Sequence, residues 1–176
     1  MKVYLDNAAT TPVLSEVAEV VKKASLENYG NPESLNEQGV KANEALENAR
    51  KIIASAINAS QSELIFTSGA TESNNLAIFG AVYQDKSKNH IITTKIEHPS
   101  VLNCFEKLKK QGYEVTFLDV DKEGYANLEQ LNDSITEKTA LVSIIHGNHE
   151  IGTIQNLNLI GKICKEKNVL FHVDAS

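Results

Sequence analysis

From residue 64 to the end of the chain, short apolar runs alternate with segments whose apolar residues recur at helical spacing. The apolar runs 64–67, 90–94, 114–118, 140–145 and 169–173 predict strands. The segments 71–82, 99–110, 127–135 and 157–166 predict helices. Strand and helix in strict alternation argue an α/β fold, a largely parallel sheet with helices on both faces. The first 60 residues read differently, as a helical segment. Pro12 opens a helix with Val13, Val17, Val20, Val21 and Ala24 on one stripe, and Tyr29-Gly30-Asn31-Pro32 ends it. A longer helix, about 36–57, sets Ala45, Leu46, Ala49, Ile52, Ile53 and Ala56 on one face. Asp119 to Tyr125 reads as an acidic, solvated loop.

Composition narrows the class. The 176 residues are 41% hydrophobic and 23% charged, which suits a globular domain with a core of its own. Seventeen basic against 23 acidic residues give a net charge of −6, and the basic ones are scattered, so nucleic acid is not an expected partner. The longest near-apolar run, Ala140 to Ile145, is far below membrane-spanning length, and the N-terminus turns polar by Asp6-Asn7. A cytoplasmic protein is expected, without a membrane partner. Cys104 and Cys164 fit a reducing compartment and fall near apolar helix faces, so both read as small core residues rather than sulfur carriers. The five histidines show no metal-ligand spacing.

The chemistry gathers at the carboxyl ends of the predicted strands, the edge where open α/β sheets bind ligands. Phe66-Thr67-Ser68-Gly69-Ala70-Thr71 turns from a strand into a helix. Such a turn offers backbone N–H groups at a positive helix end, with the Ser68 and Thr71 hydroxyls beside them, and phosphate is the usual guest. His98 follows the strand 90–94, and Asp174 follows 169–173. A histidine there can stack on a flat ring or move a proton; an aspartate can hold a cationic ring nitrogen. Taken singly, each has a plainer account: a capped helix for Thr71, a helix-start histidine for His98, a helix cap for Asp174. Together, phosphate, ring and ring nitrogen describe pyridoxal 5'-phosphate (PLP).

Several motifs in one order also carry a resemblance. Tyr4-Leu5-Asp6-Asn7-Ala8-Ala9-Thr10-Thr11-Pro12, Tyr29-Gly30-Asn31-Pro32, Thr67-Ser68-Gly69-Ala70-Thr71-Glu72-Ser73-Asn74-Asn75 and Glu97-His98-Pro99 resemble the cysteine desulfurases, class V aminotransferase-type PLP enzymes. So do Asn148-His149-Glu150-Ile151-Gly152-Thr153-Ile154-Gln155 and Phe171-His172-Val173-Asp174-Ala175. The resemblance implies a three-layer α/β/α large domain of the PLP aminotransferase fold (fold type I), with about seven strands of which this chain would supply five. Residues 1–60 would be an N-terminal helical segment and 61–176 the first part of the PLP-binding large domain. It also implies a homodimer that takes sulfur from L-cysteine, leaving L-alanine, and passes it to an acceptor such as an iron–sulfur scaffold protein.

By motif position, Ala70 and Thr71 would bind the cofactor phosphate, Asp174 the ring nitrogen, and His98 would stack on the ring and act as acid and base. His149 stands where the family pattern Asn-Asn-Glu-Ile-Gly has its second Asn. Its imidazole N–H could donate to the cofactor's phenolic oxygen, or the contact could be shifted. Asn7, Asn31 and Glu72 belong to intact motifs with no readable role, while His90 and His172 read as structural. The family's Schiff-base lysine, in Ser-x-His-Lys, and its persulfide cysteine match nothing in residues 1–176. The expectation is therefore an incomplete, inactive stretch of a protein roughly twice as long. The rival readings are another class V enzyme such as a selenocysteine lyase, a non-catalytic PLP-fold binding protein and, least of all, a nucleotide-binding domain, since the turn has neither a Gly-x-Gly-x-x-Gly nor a P-loop pattern.

Overall fold

Parallel pairing of apolar strands builds the centre of the protein, seen in a computed structural model that describes residues 2–176. The chain forms two compact units, 1–66 and 67–176. In the second, β1 (His90–Thr94), β2 (Glu114–Leu118), β3 (Thr139–Ser143) and β4 (Leu170–His172) form one sheet in the order β2-β1-β3-β4. All three pairings are parallel, with Ile91 opposite Val115 and Leu141, and Val142 opposite Phe171.

Strand periodicity sends successive side chains to opposite faces, and each face has its own apolar core. On one, Ile91, Ala140 and Leu141 pack with Ile78 and Val82 of α3 (Ala70–Gln84) and with Val101, Cys104, Phe105 and Leu108 of α4 (Pro99–Lys110). On the other, Ile92, Leu118, Val142 and Ile144 pack with Leu131 of α5 (Leu128–Ser134) and with Ile160 and Cys164 of α6 (Leu157–Glu166). This is the expected three-layer α/β/α arrangement. Both cysteines are buried in it, as their spacing predicted. Asn127 and Asn156 cap α5 and α6 through the Gln130 and Leu159 amides, 2.9 and 3.2 Å away.

Two expectations are corrected. The run 64–67 is not a strand, so the sheet has four strands here rather than five. Leu64 instead follows a short 3-10 turn (Gln61–Glu63), its carbonyl accepts from Arg50 Nη1 at 2.6 Å, and the same guanidinium lies 4.9 Å from the centre of the Phe66 ring. Side-chain capture of that carbonyl replaces ladder pairing. The first helix starts at Ser15 rather than at Pro12, so Val13 lies ahead of it, and the apolar residues of both helices in the first unit are largely exposed. α1 (Ser15–Glu27) has no buried residue, and α2 (Glu37–Ala56) buries Gly39, Ala42 and Ala54 while Ile52 and Ile53 stay exposed.

The segment 119–125 is the acidic, mostly exposed turn expected, and it is also tied down. The segment closes as a turn with a Val120–Ala126 bridge, and Gln155 takes the Gly124 carbonyl at 2.7 Å and the Ala126 amide at 3.0 Å. Thr153 Oγ1 also donates to the Glu123 carbonyl. The loop is acidic but clamped.

The Tyr29-Gly30-Asn31-Pro32 stretch has a packing reason for its glycine. A Cβ on Gly30 would collide with the Gln38 carbonyl, and one on Gly39 with the Ser34 carbonyl. Asn31 makes a local turn, accepting from the Glu33 amide at 3.0 Å.

Candidate active site

The carboxyl edge of the sheet carries the candidate residues, and side-chain hydrogen bonds tie most of them into one group. Backbone pairing continues past β3 and β4, with Ile144 N donating to His172 O at 3.1 Å and His146 N to Asp174 O at 2.8 Å. That ladder holds Asp174 rigidly at the edge. Its carboxyl is 4% exposed, and Asn74 Nδ2 donates to Oδ2 at 2.9 Å while Ser176 N and Oγ donate to Oδ1 at 3.1 and 2.5 Å. Burial pulls the Asp174 carboxyl upward, but the Ser176 and Asn74 hydrogen bonds and the His172 charge outweigh it. The net shift is below the usual carboxylate value. Asp174 is thus a buried anion.

Asn74 links this anion to His98. Its Nδ2 also donates to Ser100 Oγ at 2.9 Å, and Ser100 Oγ lies 2.8 Å from His98 Nδ1. His98 is the N-cap of α4, with Nδ1 accepting from the Ser100 backbone amide at 3.1 Å and Pro99 in the first turn. An Nδ1 that accepts a backbone N–H carries no proton, so in the neutral ring the proton sits on Nε2. The cap therefore fixes the tautomer of a ring that is itself exposed.

His149 faces His98. The two rings have centroids 5.9 Å apart and are tilted by 55°. Between the β1–α4 turn and the loop bearing His149 lies a cavity of about 340 Å³, lined by residues 95–99 and 148–151. Asn148 builds that loop: its Oδ1 accepts from the Glu150 and Ile151 amides at 2.9 and 3.0 Å, and its Nδ2 donates to the Ile96 carbonyl at 2.8 Å. Gly152, at φ +78°, completes the turn by donating to the Asn148 carbonyl at 2.8 Å. The first Asn of the motif is structural, and the second position presents its side chain.

Ala70 and Thr71 open α3, one turn before Asn74, where Gly69 caps without any side-chain hydrogen bond. Ser68 differs from expectation. Its amide and hydroxyl both donate to Glu72 Oε2 at 2.6 Å, holding that carboxyl below its usual value. Thr71 keeps an exposed hydroxyl, its carbonyl taken by Asn75 at 2.8 Å.

His146 is exposed, and its contribution is the backbone bond to Asp174. His90 is buried between Thr139 and Thr116 at 2.8 and 2.9 Å, and His172 bonds Ser143 at 2.8 Å. Burial lowers both imidazoles, with partial opposition from Glu114 and Asp174 respectively. Among the described residues no cluster of three His, Cys, Asp or Glu side chains could hold a metal ion, and no helix is long and apolar enough to cross a membrane.

The sequence reading missed Asn74 and Glu97 as parts of this edge. One signal was there for Asn74: it lies on the same stripe of α3 as Ile78 and Val82, at i, i+4 and i+8, where a polar residue needs a buried partner. Glu97, 5% exposed, carried no comparable signal.

A parallel sheet with an open helix start, a buried carboxylate and an accessible imidazole at its carboxyl edge is the kind of edge at which open α/β proteins bind ligands. Comparison with known proteins narrows the class. Residues 3–176 match the family described as Aminotransferase class-V, and the chain belongs to that family. It is 46% identical over 175 residues to a protein named cysteine desulfurase IscS from Clostridium botulinum, covering 99% of this chain and 44% of that one. It is 50% identical over 179 residues to a mitosomal cysteine desulfurase of Trachipleistophora hominis, covering 99% and 41%. The chain thus spans under half the length of these relatives. Among solved structures it superposes on a NifS-like protein with a TM-score of 0.96 at 43% identity, covering 99% of this chain and 49% of that one. It also superposes on SspA in complex with cysteine, at 0.90 and 40% identity, covering 96% and 49%.

The donor set fits PLP, the cofactor that class V aminotransferases use. Asp174 is a buried carboxylate kept ionised by three hydrogen bonds, which suits a ring N–H⁺. The first turn of α3 lacks a side-chain cap, which leaves its amides to an anion.

Proposed function

We propose that this chain carries the cofactor-binding edge of a PLP-dependent cysteine desulfurase, which converts L-cysteine to L-alanine and hands the sulfur to an acceptor. The reading rests on one observation above the others: the hydrogen-bonded chain Asp174–Asn74–Ser100–His98, which fixes an anion and an imidazole on one edge. When bound, PLP supplies an electron sink for the substrate's α-carbon. Asp174 keeps the ring nitrogen protonated, because its own negative charge is buried and hydrogen-bonded. Ala70 and Thr71 bind the phosphate through the α3 amides and the Thr71 hydroxyl. His98 stacks on the ring and moves a proton at Nε2, the nitrogen its cap leaves outward. His149 donates to the cofactor's phenolic oxygen from the opposite side of the same cavity.

The remainder of the reading is drawn by analogy with the relatives. Residues 61–176 form the first part of the PLP-binding large domain, behind a helical segment, 1–60. The protein works in the cytoplasm as a homodimer, with L-cysteine as substrate and an iron–sulfur scaffold as acceptor. The 46% identity to a cysteine desulfurase and the likeness to a structure holding cysteine support L-cysteine as the substrate. The test is to load the complete chain with PLP and supply L-cysteine with a thiol reductant. Equal amounts of alanine and sulfide are the expected result. PLP uptake with no alanine would overturn the enzyme reading in favour of a binding protein.

A further inference from the structure

Glu97 lies in the β1–α4 turn, beside His98, and is 5% exposed. Its Oε1 accepts from Thr94 Oγ1 at 2.6 Å and from the Ile145 amide at 3.0 Å. Its Oε2 is buried with no hydrogen-bond partner among the described residues. The position matters because pairing of β1 with β3 stops at Ile92–Val142. Beyond that point the two chain ends carrying His98 and His149 are held by side chains, by Glu97 to Ile145 and by Asn148 to Ile96.

A carboxylate spreads its charge over both oxygens, and a buried one needs both satisfied. Here both bonds go to one oxygen, as they would to the carbonyl oxygen of a neutral acid. Leaving Oε2 without a partner costs less as a neutral hydroxyl than as half of a buried charge. The surroundings agree. Lys95 pairs outward with Asp119 at 3.6 Å, His98, His149 and Glu150 line the same cavity as Glu97, and His172 bonds Ser143. None of these makes a salt bridge to Glu97 among the described residues, and the charge that bears on it is the negative one of Asp174. Burial is the largest influence, opposed by the Thr94 and Ile145 bonds, and with Asp174 it lifts the Glu97 carboxyl from 4.5 to about 7.

We propose that Glu97 is a positioning residue. In its protonated form it is the strut that holds the His98 turn against the end of β3, so that the His98 and His149 rings face one cavity. This goes beyond the desulfurase reading and holds whichever substrate the site takes.

The test compares Glu97→Gln and Glu97→Ala in the complete chain without cofactor. The Gln amide oxygen keeps both accepted bonds, and its NH2 replaces a hydroxyl. The first readout is hydrogen exchange at the Ile145 amide. It is expected to stay within a few-fold of the parent in E97Q and to speed up at least about tenfold in E97A, as when a bond of about 1.4 kcal/mol is lost. The second is the pH dependence of unfolding. An acid whose folded pKa is raised binds its proton more tightly in the native state, so its stabilisation is full below pH 4.5 and is lost as pH rises towards 7. Relative to E97Q, the parent's folding constant should therefore fall by roughly two orders of magnitude across that window. Exchange in E97Q as fast as in E97A would show that the anion is required. Ile145 protection surviving in E97A, or identical pH profiles for parent and E97Q, would equally overturn the proposal. If E97A does not fold, both E97Q readouts still decide.

Discussion

Asn74 and Asp174, a hundred positions apart in sequence, meet through a 2.9 Å hydrogen bond, and both are 4% exposed. The bond ties α3 to the end of β4, and the same Asn74 amide reaches Ser100 on α4. Asn74→Ala strands the Oδ2 atom of a buried carboxylate and the Ser100 hydroxyl together. Hydrogen bonds to charged groups contribute about 1.5–3 kcal/mol, so a loss in that range is expected in denaturant titration of the complete chain. The variant should also bind PLP more weakly, since a less firmly ionised Asp174 holds a ring N–H⁺ less well. Unchanged stability would mean that water replaces the amide at no cost.

The same carboxylate sets a pH dependence. Asp174 has a folded value below its ordinary one, because the Ser176 and Asn74 bonds outweigh burial. Its stabilisation is therefore complete above about 3.8 and is lost as pH falls through the lower folded value. Asp174→Asn should flatten the acid limb of the stability profile. Asn74→Ala should shift that limb to higher pH. Acid-induced unfolding followed by circular dichroism distinguishes the two.

His98 has two duties that substitution can separate. It caps α4 through Nδ1, and its ring is the proposed cofactor-stacking face. Asparagine is a good N-cap and has no ring, so His98→Asn should melt within a few tenths of a kcal/mol of the parent while losing PLP affinity. His98→Ala should lose the affinity and about 1 kcal/mol of stability as well. Parent-like PLP binding in His98→Asn would remove the stacking role.

Legibility in the sequence followed burial on two faces. The runs from 90 onward were readable as strands because both neighbouring faces are apolar, and Ile91 and Ile92 go to different cores. Leu64 to Thr67 has the same local look, but an apolar run does not say whether a partner strand lies beside it. There, Arg50 is the partner. Ala70, Thr71, His98, His149 and Asp174 were readable as positions in motifs, and His98 and Asp174 also as residues just past strand ends. The polar residues joining them, Asn74 and Glu97, were not, nor was Gln155 at the 119–126 turn, because their partners lie 26 to 100 positions away. Helical spacing likewise marked an apolar stripe on α1, yet spacing cannot say what covers it.

The cysteines give a simple check on which thiols this part of the chain could use. Cys104 is 2% exposed and lies 3.1 Å from the Ser100 carbonyl; Cys164 is 1% exposed. Burial raises both thiols, Cys164 to about 11, with slight relief from Lys107 at Cys104 and from its own backbone at Cys164. Neither should be alkylated in the native protein at mildly alkaline pH, and both should be after denaturation. Rapid native labelling of either would reopen its candidacy as a sulfur carrier.

Gln155 offers the sharpest separation of local from global structure. One side chain takes the Gly124 carbonyl and the Ala126 amide, so Gln155→Leu strands two groups near the bottom of a turn. Each stranded group costs about 1–3 kcal/mol. Part of the turn has independent support, since Asp121 Oδ1 accepts from the Glu123 and Tyr125 amides at 3.0 and 2.8 Å. The tip should therefore survive while its base opens. Hydrogen exchange at Ala126 should accelerate at least tenfold, while Ile91 and Leu141 in the central strands keep their protection. Protection retained at Ala126 would mean that the Asp121 turn and the Val120–Ala126 bridge hold the loop without Gln155.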